Sequence, residues 1–259
     1  MGGVLQAAGD PARAIETVAW VLIAGGLAIF IGVMLLLARA LRRRAGTVRT
    51  RLWIVGGGLV FPGVVLAGLF AWTLAMTPAW KPVPPPGALV VAVTGTLWWW
   101  DVRYRDPATG AEIRTANEVR IPTGRPVYLA LDSADVIHSF WVPQLAGKMD
   151  MVPGRLQHLL LSAGRPGVYR GQCAEFCGEQ HARMALHVVA LAPAEFDAWL
   201  AAQARPALPP ATPRQEAGRQ AFLAQRCDAC HAVRGVGGDS RLGPDLTHVG
   251  SRLHLAAGT

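Results

Sequence analysis

Hydrophobic and polar positions fall into three successive textures along this chain. Two runs, 18–38 and 52–76, carry no charged side chain. The first has 21 residues. At about 1.5 Å per residue it would reach about 31 Å, the thickness of a hydrocarbon core. Each run therefore predicts a membrane-spanning helix rather than a core helix. From residue 88 the runs shorten to 88–94, 98–104, 126–131, 156–162 and 186–191, all β-rich and punctuated by Gly and Pro. That pattern predicts an antiparallel sandwich or barrel, closed by a short helix over 194–204. Farther on, 214–226 reads as an amphipathic helix with Ala217, Ala221 and Phe222 on one side.

Prolines mark the seams between these textures. Pro78, Pro82 and Pro84 to Pro86 stiffen the stretch after the second apolar run, and a second Pro-rich stretch covers 205–213. The expected organisation is a transmembrane hairpin over 1–81, with helices at about 18–38 and 52–76. A β domain over 87–204, a linker over 205–213 and a final segment over 214–259 follow.

Charge sharpens the membrane reading. Arg39, Arg42, Arg43, Arg44, Arg49 and Arg51 lie between the two apolar runs with no acid among them. The positive-inside rule places that loop in the cytoplasm and both ends of the hairpin outside. The formal net charge is +8, but residues 87–200 balance to −1 and residues 205–259 to +3. The basic excess is thus mostly topological and does not describe a nucleic-acid surface. The first run lacks a basic segment ahead of it, and no clear cleavage site precedes the second, so it reads as a retained helix rather than a leader.

Candidate chemistry concentrates in Cys173-Ala174-Glu175-Phe176-Cys177-Gly178-Glu179-Gln180-His181-Ala182-Arg183-Met184, with His138 upstream. Thiolate, imidazole and thioether form a soft donor set, which suits copper. Zinc and a pair of structural thiols remain alternatives. Zinc seldom takes Met, and Cys-x3-Cys is not the usual knuckle spacing. A second motif, Cys227-Asp228-Ala229-Cys230-His231, has the Cys-x-x-Cys-His pattern of covalent c-type haem attachment. A thioredoxin-like redox pair is the other reading, but no βαβ pattern surrounds it.

Three stretches carry a family resemblance. Gly171 to Gly178, Asp135 to Pro143 and Lys148 to Arg155 resemble cytochrome c oxidase subunit II, and the resemblance extends over most of 15–200. It implies a cupredoxin fold holding a binuclear copper centre, CuA. Cys173 and Cys177 would bridge the coppers, with His138 and His181 each capping one. Met184 and the Glu175 carbonyl would be weak axial ligands, and the Glu175 side chain would point toward a magnesium ion shared with subunit I. Trp98, the first of three consecutive tryptophans, matches the family's electron-entry position, although packing alone would also explain any one of the three. The implied partners are subunit I, subunit III, a cytochrome c or other periplasmic donor, and membrane lipid. The implied place is the bacterial inner membrane, with the copper domain on the periplasmic side. Oxygen reduction and proton pumping would occur in subunit I.

The last segment extends the resemblance. Gly218-Arg219-x-x-Phe222 and Leu242-Gly243-Pro244-Asp245-Leu246 are similar to class I cytochromes c, so the whole resembles a subunit II fused to a cytochrome c, the caa type. Haem c would attach at Cys227 and Cys230, with His231 on the iron. No Met follows Pro244. His248 and His254 are the remaining imidazoles, neither favoured as sixth ligand. The expectation is a cytochrome domain cut short, all-α and partial. The resemblance also departs at Thr50, where the common type has an acid, and at Pro62, which stands late, so that type's proton-entry role is not carried over. A nitrous oxide reductase-like copper protein, a structural quinol-oxidase subunit II and a membrane copper chaperone are the competing classes. The first would need a propeller, the second lacks the copper ligands and the third would need no haem motif.

Overall fold

The computed structural model describes residues 5–42, 47–76 and 83–258. Arg43 and Arg44 of the basic loop, Pro78 and Pro82 of the first linker, and Thr259 lie outside the described residues.

Residues Ala14–Lys81 form one compact unit. Helix α1 (Asp10–Arg42) is longer than its uncharged run, because Asp10 and Arg13 pair in its first turn and Arg39 and Arg42 suit its last turn. The second span runs over Leu52–Met76. It begins as a π-helical stretch, Leu52–Val60, and continues as α2 (Phe61–Met76). The Phe61 amide bonds the Gly56 carbonyl, five residues back. A proline ring clashes with the carbonyl four residues upstream. The wider register before Pro62, over Gly56-Gly57-Gly58, is one way to relieve that clash. Both helices are long and apolar enough to cross a membrane. Their apolar side chains are open, with Leu35, Leu66 and Phe70 each about two-thirds exposed. Lipid solvates such a surface without penalty, whereas water would not, and the chain is accordingly membrane-anchored.

Residues Met1–Arg13 and Pro82–Thr259 make the other unit. Among the described residues its body is a β-sandwich of ten strands. They are β1 (Leu89–Thr96), β2 (Trp99–Arg105), β3 (Glu112–Ala116), β4 (Glu118–Pro122), β5 (Val127–Ser133), β6 (His138–Trp141), β7 (Met149–Met151), β8 (Gln157–Leu161), β9 (Gly167–Cys173) and β10 (Ala185–Leu191). One sheet is ordered β3-β2-β1-β5-β8 and the other β4-β10-β9-β6-β7. The expectation of a purely antiparallel sandwich is corrected: β1 pairs β5 in parallel, and so do β10 and β4. These partners are joined by long crossings over the sandwich rather than by hairpins, which frees them to run the same way. Strands β3, β4, β6, β7 and β9 were not anticipated as separate runs. Several mix charge with apolar positions, as in Glu112-Ile113-Arg114, and alternation over three to seven residues is a weak signal.

Alternation does explain the core. Along β1, Val91 and Val93 point inward and are fully buried, between half-buried Ala92 and Thr94. Trp100, Leu129, Leu131, Phe140, Leu186 and Val188 fill the same core. Helix α3 (Pro193–Ala204) closes one side, with Phe196 and Leu200 buried and Trp199 at 5.3 Å from Tyr104. The Tyr104 hydroxyl donates to the Arg120 carbonyl and accepts from the Arg120 amide, at 3.0 and 2.7 Å.

A short strap precedes α1. The Ala8 amide bonds the Gln144 carbonyl and the Gly164 amide bonds the Ala8 carbonyl, both at 2.8 Å. A Cβ on Gly9 would fall 2.2 Å from the Ser162 carbonyl oxygen, so only glycine fits there. Residues 8 and 9 come before the first span, and the sandwich follows the second. Their contact makes residues 8 and 9 part of the same unit as the sandwich.

After the linker comes α4 (Pro213–Ala224), capped by Thr212, whose hydroxyl accepts from the Gln215 amide at 3.3 Å. The helix was expected to bury one side. Instead Ala217 and Ala221 are exposed and Phe222 only half-buried. Among the described residues, 3-10 turns follow at Cys227–Ala229, Val249–Ser251 and Ala256–Gly258.

Candidate metal centre

Three chain segments converge at one end of the sandwich. Strand β6 opens with His138, and its Phe140 pairs in register with Cys173, the last residue of β9. The loop 174–184 then returns to β10. It is pinned at both ends: the Cys173 amide bonds the Met184 carbonyl at 2.9 Å, and the Ala174 amide bonds the Ser139 carbonyl at 3.0 Å. Inside the loop, the His181 amide bonds the Gly178 carbonyl at 3.1 Å, and Gly178 adopts a φ of +107° that favours glycine. On β1, a Cβ at Gly95 would lie 2.8 Å from His138 Cδ2, so the missing side chain makes the space for that ring.

These constraints gather the soft donors the sequence singled out. Cys173 Sγ and Cys177 Sγ are 3.8 Å apart. His138 Nδ1 lies 3.8 Å from Cys173 Sγ, and His181 Nδ1 lies 3.5 Å from Cys177 Sγ. Met184 Sδ is 3.8 Å from Cys177 Sγ, and the Glu175 carbonyl oxygen is 3.2 Å from Cys173 Sγ. Both thiols, His138 and Met184 are buried. His138, Cys173 and Cys177 place their donor atoms within 4.8 Å of one another. The two imidazoles approach different sulfurs. Thiolate, imidazole and thioether together make a soft donor set that suits copper.

The surrounding shell orients the ligands. His138 Nε2 is 2.8 Å from an Asp135 carboxylate oxygen, and the other oxygen accepts from the Leu97 amide at 2.8 Å. A carboxylate only accepts, so Nε2 carries a hydrogen and the ring turns Nδ1 toward Cys173. Burial pushes the Cys173 thiol up, but hydrogen bonding from His138 and the Glu175 and Ser139 backbone outweighs it and brings the thiol down to about 7. Burial and then the Cys173 charge push Cys177 up to about 12. Ionisation of one thiol thus opposes ionisation of the other. Asp135 has no role in the sequence reading beyond its place in a motif. A carboxylate three residues before a ligand His was the available signal.

The Glu175 side chain is partly exposed and lies 3.7 Å from Lys148 Nζ, which also pairs with Asp150 at 3.1 Å. Among the tryptophans, Trp100 is fully buried, 5.8 Å from Phe140 in an edge-on contact, while Trp98 and Trp99 are half-buried. The Trp98 indole N–H donates to the Cys177 carbonyl at 2.9 Å.

The second motif lies in the final segment, with Cys227 and Cys230 both exposed. The His231 amide bonds the Cys227 carbonyl at 2.9 Å, and His231 Nδ1 is 2.9 Å from the Pro244 carbonyl. A carbonyl can only accept, so Nδ1 donates and Nε2 is the bare nitrogen. Gly243 allows this approach, since a Cβ there would sit 2.7 Å from His231 Cε1. His248 Nε2 is engaged by the Arg205 carbonyl at 2.9 Å, and His254 stacks on His187.

Residues 105–191 match the family model for the cytochrome c oxidase subunit II periplasmic domain. Over 166 residues the chain is 40% identical to cytochrome c oxidase subunit 2 of Alkalihalophilus pseudofirmus, covering 64% of this chain and 47% of that protein. It is 42% identical over 116 residues to the same subunit of Synechocystis sp., covering 45% of this chain and 33% of that protein. The chain thus spans about half or less of the length of these curated relatives. Among solved structures, it is similar to the periplasmic domain of subunit II of cytochrome oxidase of Bradyrhizobium japonicum. That similarity has 28% identity and a TM-score of 0.43, over 47% of this chain and 97% of that one.

Proposed function

We propose that this chain is the electron-transfer subunit of a respiratory terminal oxidase, taking electrons from a cytochrome c-type donor and delivering them to subunit I through a binuclear copper site. The observation that carries this reading is the buried donor set: Cys173 and Cys177 side by side, with His138 and His181 on different sulfurs and Met184 and the Glu175 carbonyl adjoining. When bound there, copper supplies one-electron redox chemistry. The residues hold it rigidly, exclude water and spread charge over two thiolates. Asp135 fixes the His138 ring, and the Trp98 indole joins the outer surface to the Cys177 backbone. The oxygen chemistry belongs to subunit I.

The same reading covers the finer assignments. Cys227 and Cys230 are exposed and so open to covalent attachment of a haem, and His231 presents its bare Nε2 as an iron ligand while Pro244 holds the ring. The Glu175 carboxylate would reach a magnesium ion shared with subunit I by exchanging its Lys148 partner. The arginine loop and the Ala8 strap support a copper domain on the outer, periplasmic face of a bacterial inner membrane.

The test is copper stoichiometry on the detergent-solubilised full chain loaded with equimolar Cu(I) and Cu(II). Two coppers per chain with a mixed-valent electron paramagnetic resonance signal are expected. One copper per chain, with the signal of an isolated Cu(II) ion, would overturn the binuclear reading.

A further inference from the structure

Two histidines that neither the copper nor the haem reading uses meet face to face where the final segment touches the sandwich. His187 stands on β10 and is 6% exposed. His254 follows the 3-10 turn at Val249–Ser251. Their rings stack with centroids 3.5 Å apart and planes 7° from parallel. Neither Nδ1 has a hydrogen-bond partner among the described residues. Neutral imidazoles tolerate this arrangement. Two imidazolium rings at that distance would not.

The charged surroundings act in both directions. Glu118 on β4 accepts from the His254 amide at 2.9 Å and pairs with Arg120 at 3.2 Å. Arg120 also donates to the Ser251 carbonyl at 3.1 Å. Arg170 on β9 stands in register with His187. Arg252 is half-buried and donates to the Asp245 carbonyl, and the Asp245 carboxylate is 3.8 Å from Arg234. At His187, Arg170 opposes added positive charge and Glu118 favours it.

We propose that the His187–His254 stack is a proton-operated hold, which docks residues 249–257 on the sandwich while both rings are neutral and releases them on protonation. What the docked segment covers gives the hold a consequence. A cavity of about 610 Å³ lies between the two parts, with Trp98, Trp99 and Asn117 on the sandwich side and Arg252, His254 and Leu255 on the other. Release would open the Trp98 side of the copper domain to outside molecules. The link to electron entry rests on the oxidase reading. The docking equilibrium does not.

The direction with pH follows from linkage. Burial, then His254 and Arg170, hold His187 below its ordinary value of 6.5, with Glu118 opposing. The released state therefore binds protons more readily. Docking is complete above about pH 6.5 and weakens as pH falls below it.

Hydrogen exchange of the amides of 249–257, corrected for intrinsic rates, tests this on the full chain in detergent. Protection is expected to fall at least about tenfold between about pH 7.5 and about pH 5.5, with a midpoint in the histidine range. His254→Phe and His187→Phe keep a flat ring without titrating, and His254→Gln removes titration with a smaller side chain. Each is expected to dock at both pH values. Wild-type protection that stays flat overturns the proposal. So does a midpoint near pH 4, which assigns the change to Glu118 or Asp245. A docked variant that keeps the wild-type pH dependence, or failure of all three variants to dock at about pH 7.5, overturns it as well.

Discussion

The two cysteine pairs of this chain occupy opposite settings. Cys173 and Cys177 are 4% and 3% exposed, at the end of a ten-stranded sandwich whose loops are pinned by backbone hydrogen bonds. Cys227 and Cys230 are exposed on a short segment whose helix, α4, leaves Ala217 and Ala221 uncovered. The first pair has its geometry imposed before any metal arrives. The second has a local turn and one ordered imidazole, but little core behind it. The difference teaches that a cofactor site and a cofactor motif are distinct things. A motif specifies which atoms can react, whereas a site also supplies the packing that holds them still.

Four substitutions and one control sharpen or break that contrast, in descending order of effect. Cys173→Ser should abolish copper loading and its near-infrared absorption. Retained absorption at that energy would remove Cys173 from the ligand set and leave the buried pair no more special than the exposed one. His231→Ala should eliminate haem ligation, read as loss of the low-spin ferrous spectrum, while copper loading stays intact. Loss of both would mean that the two regions are not independent.

Asp135→Ala should weaken copper binding by about 10- to 100-fold in a competitive chelator titration, because the His138 ring loses the carboxylate that fixes its tautomer. Unchanged affinity would show that packing against Gly95 suffices to orient the ring. Gly95→Ala should act on stability. Its new Cβ would sit 2.8 Å from His138, and overpacking of this kind costs about 1–3 kcal/mol, measurable by thermal denaturation of the metal-free chain. An equal substitution at Gly218, where nothing lies within 4 Å, should not destabilise the chain.

Local patterns made much of this molecule legible. Both membrane spans were readable, since an uncharged run of that length has few other uses. Soft donors at 173, 177, 181 and 184 announced their chemistry because residue type and spacing are themselves chemical facts. The sandwich was legible as a texture, and Val91 and Val93 show why: period-two burial follows from strand geometry. The parallel β1–β5 and β4–β10 pairings were not, because partner choice between distant strands leaves no mark on either strand. Asp135 stayed hidden as a ring-orienting group for a related reason. An aspartate three residues from a histidine is common, and only the fold directs one at the other.

What the sequence by itself determined is therefore the inventory: two lipid-length helices, a loop of arginines between them, a soft-donor loop and a Cys-x-x-Cys-His turn. These depend on composition and short-range spacing, which the chain carries in one dimension. What only the tertiary structure decided is the set of meetings. His138 reaches Cys173 across 35 positions, Ala8 is strapped to Gln144, Trp98 bonds the Cys177 carbonyl, and His187 lies flat against His254. Each brings together residues far apart in the chain. Such contacts form only when burial of the whole core offsets the entropy of closing the loops between them.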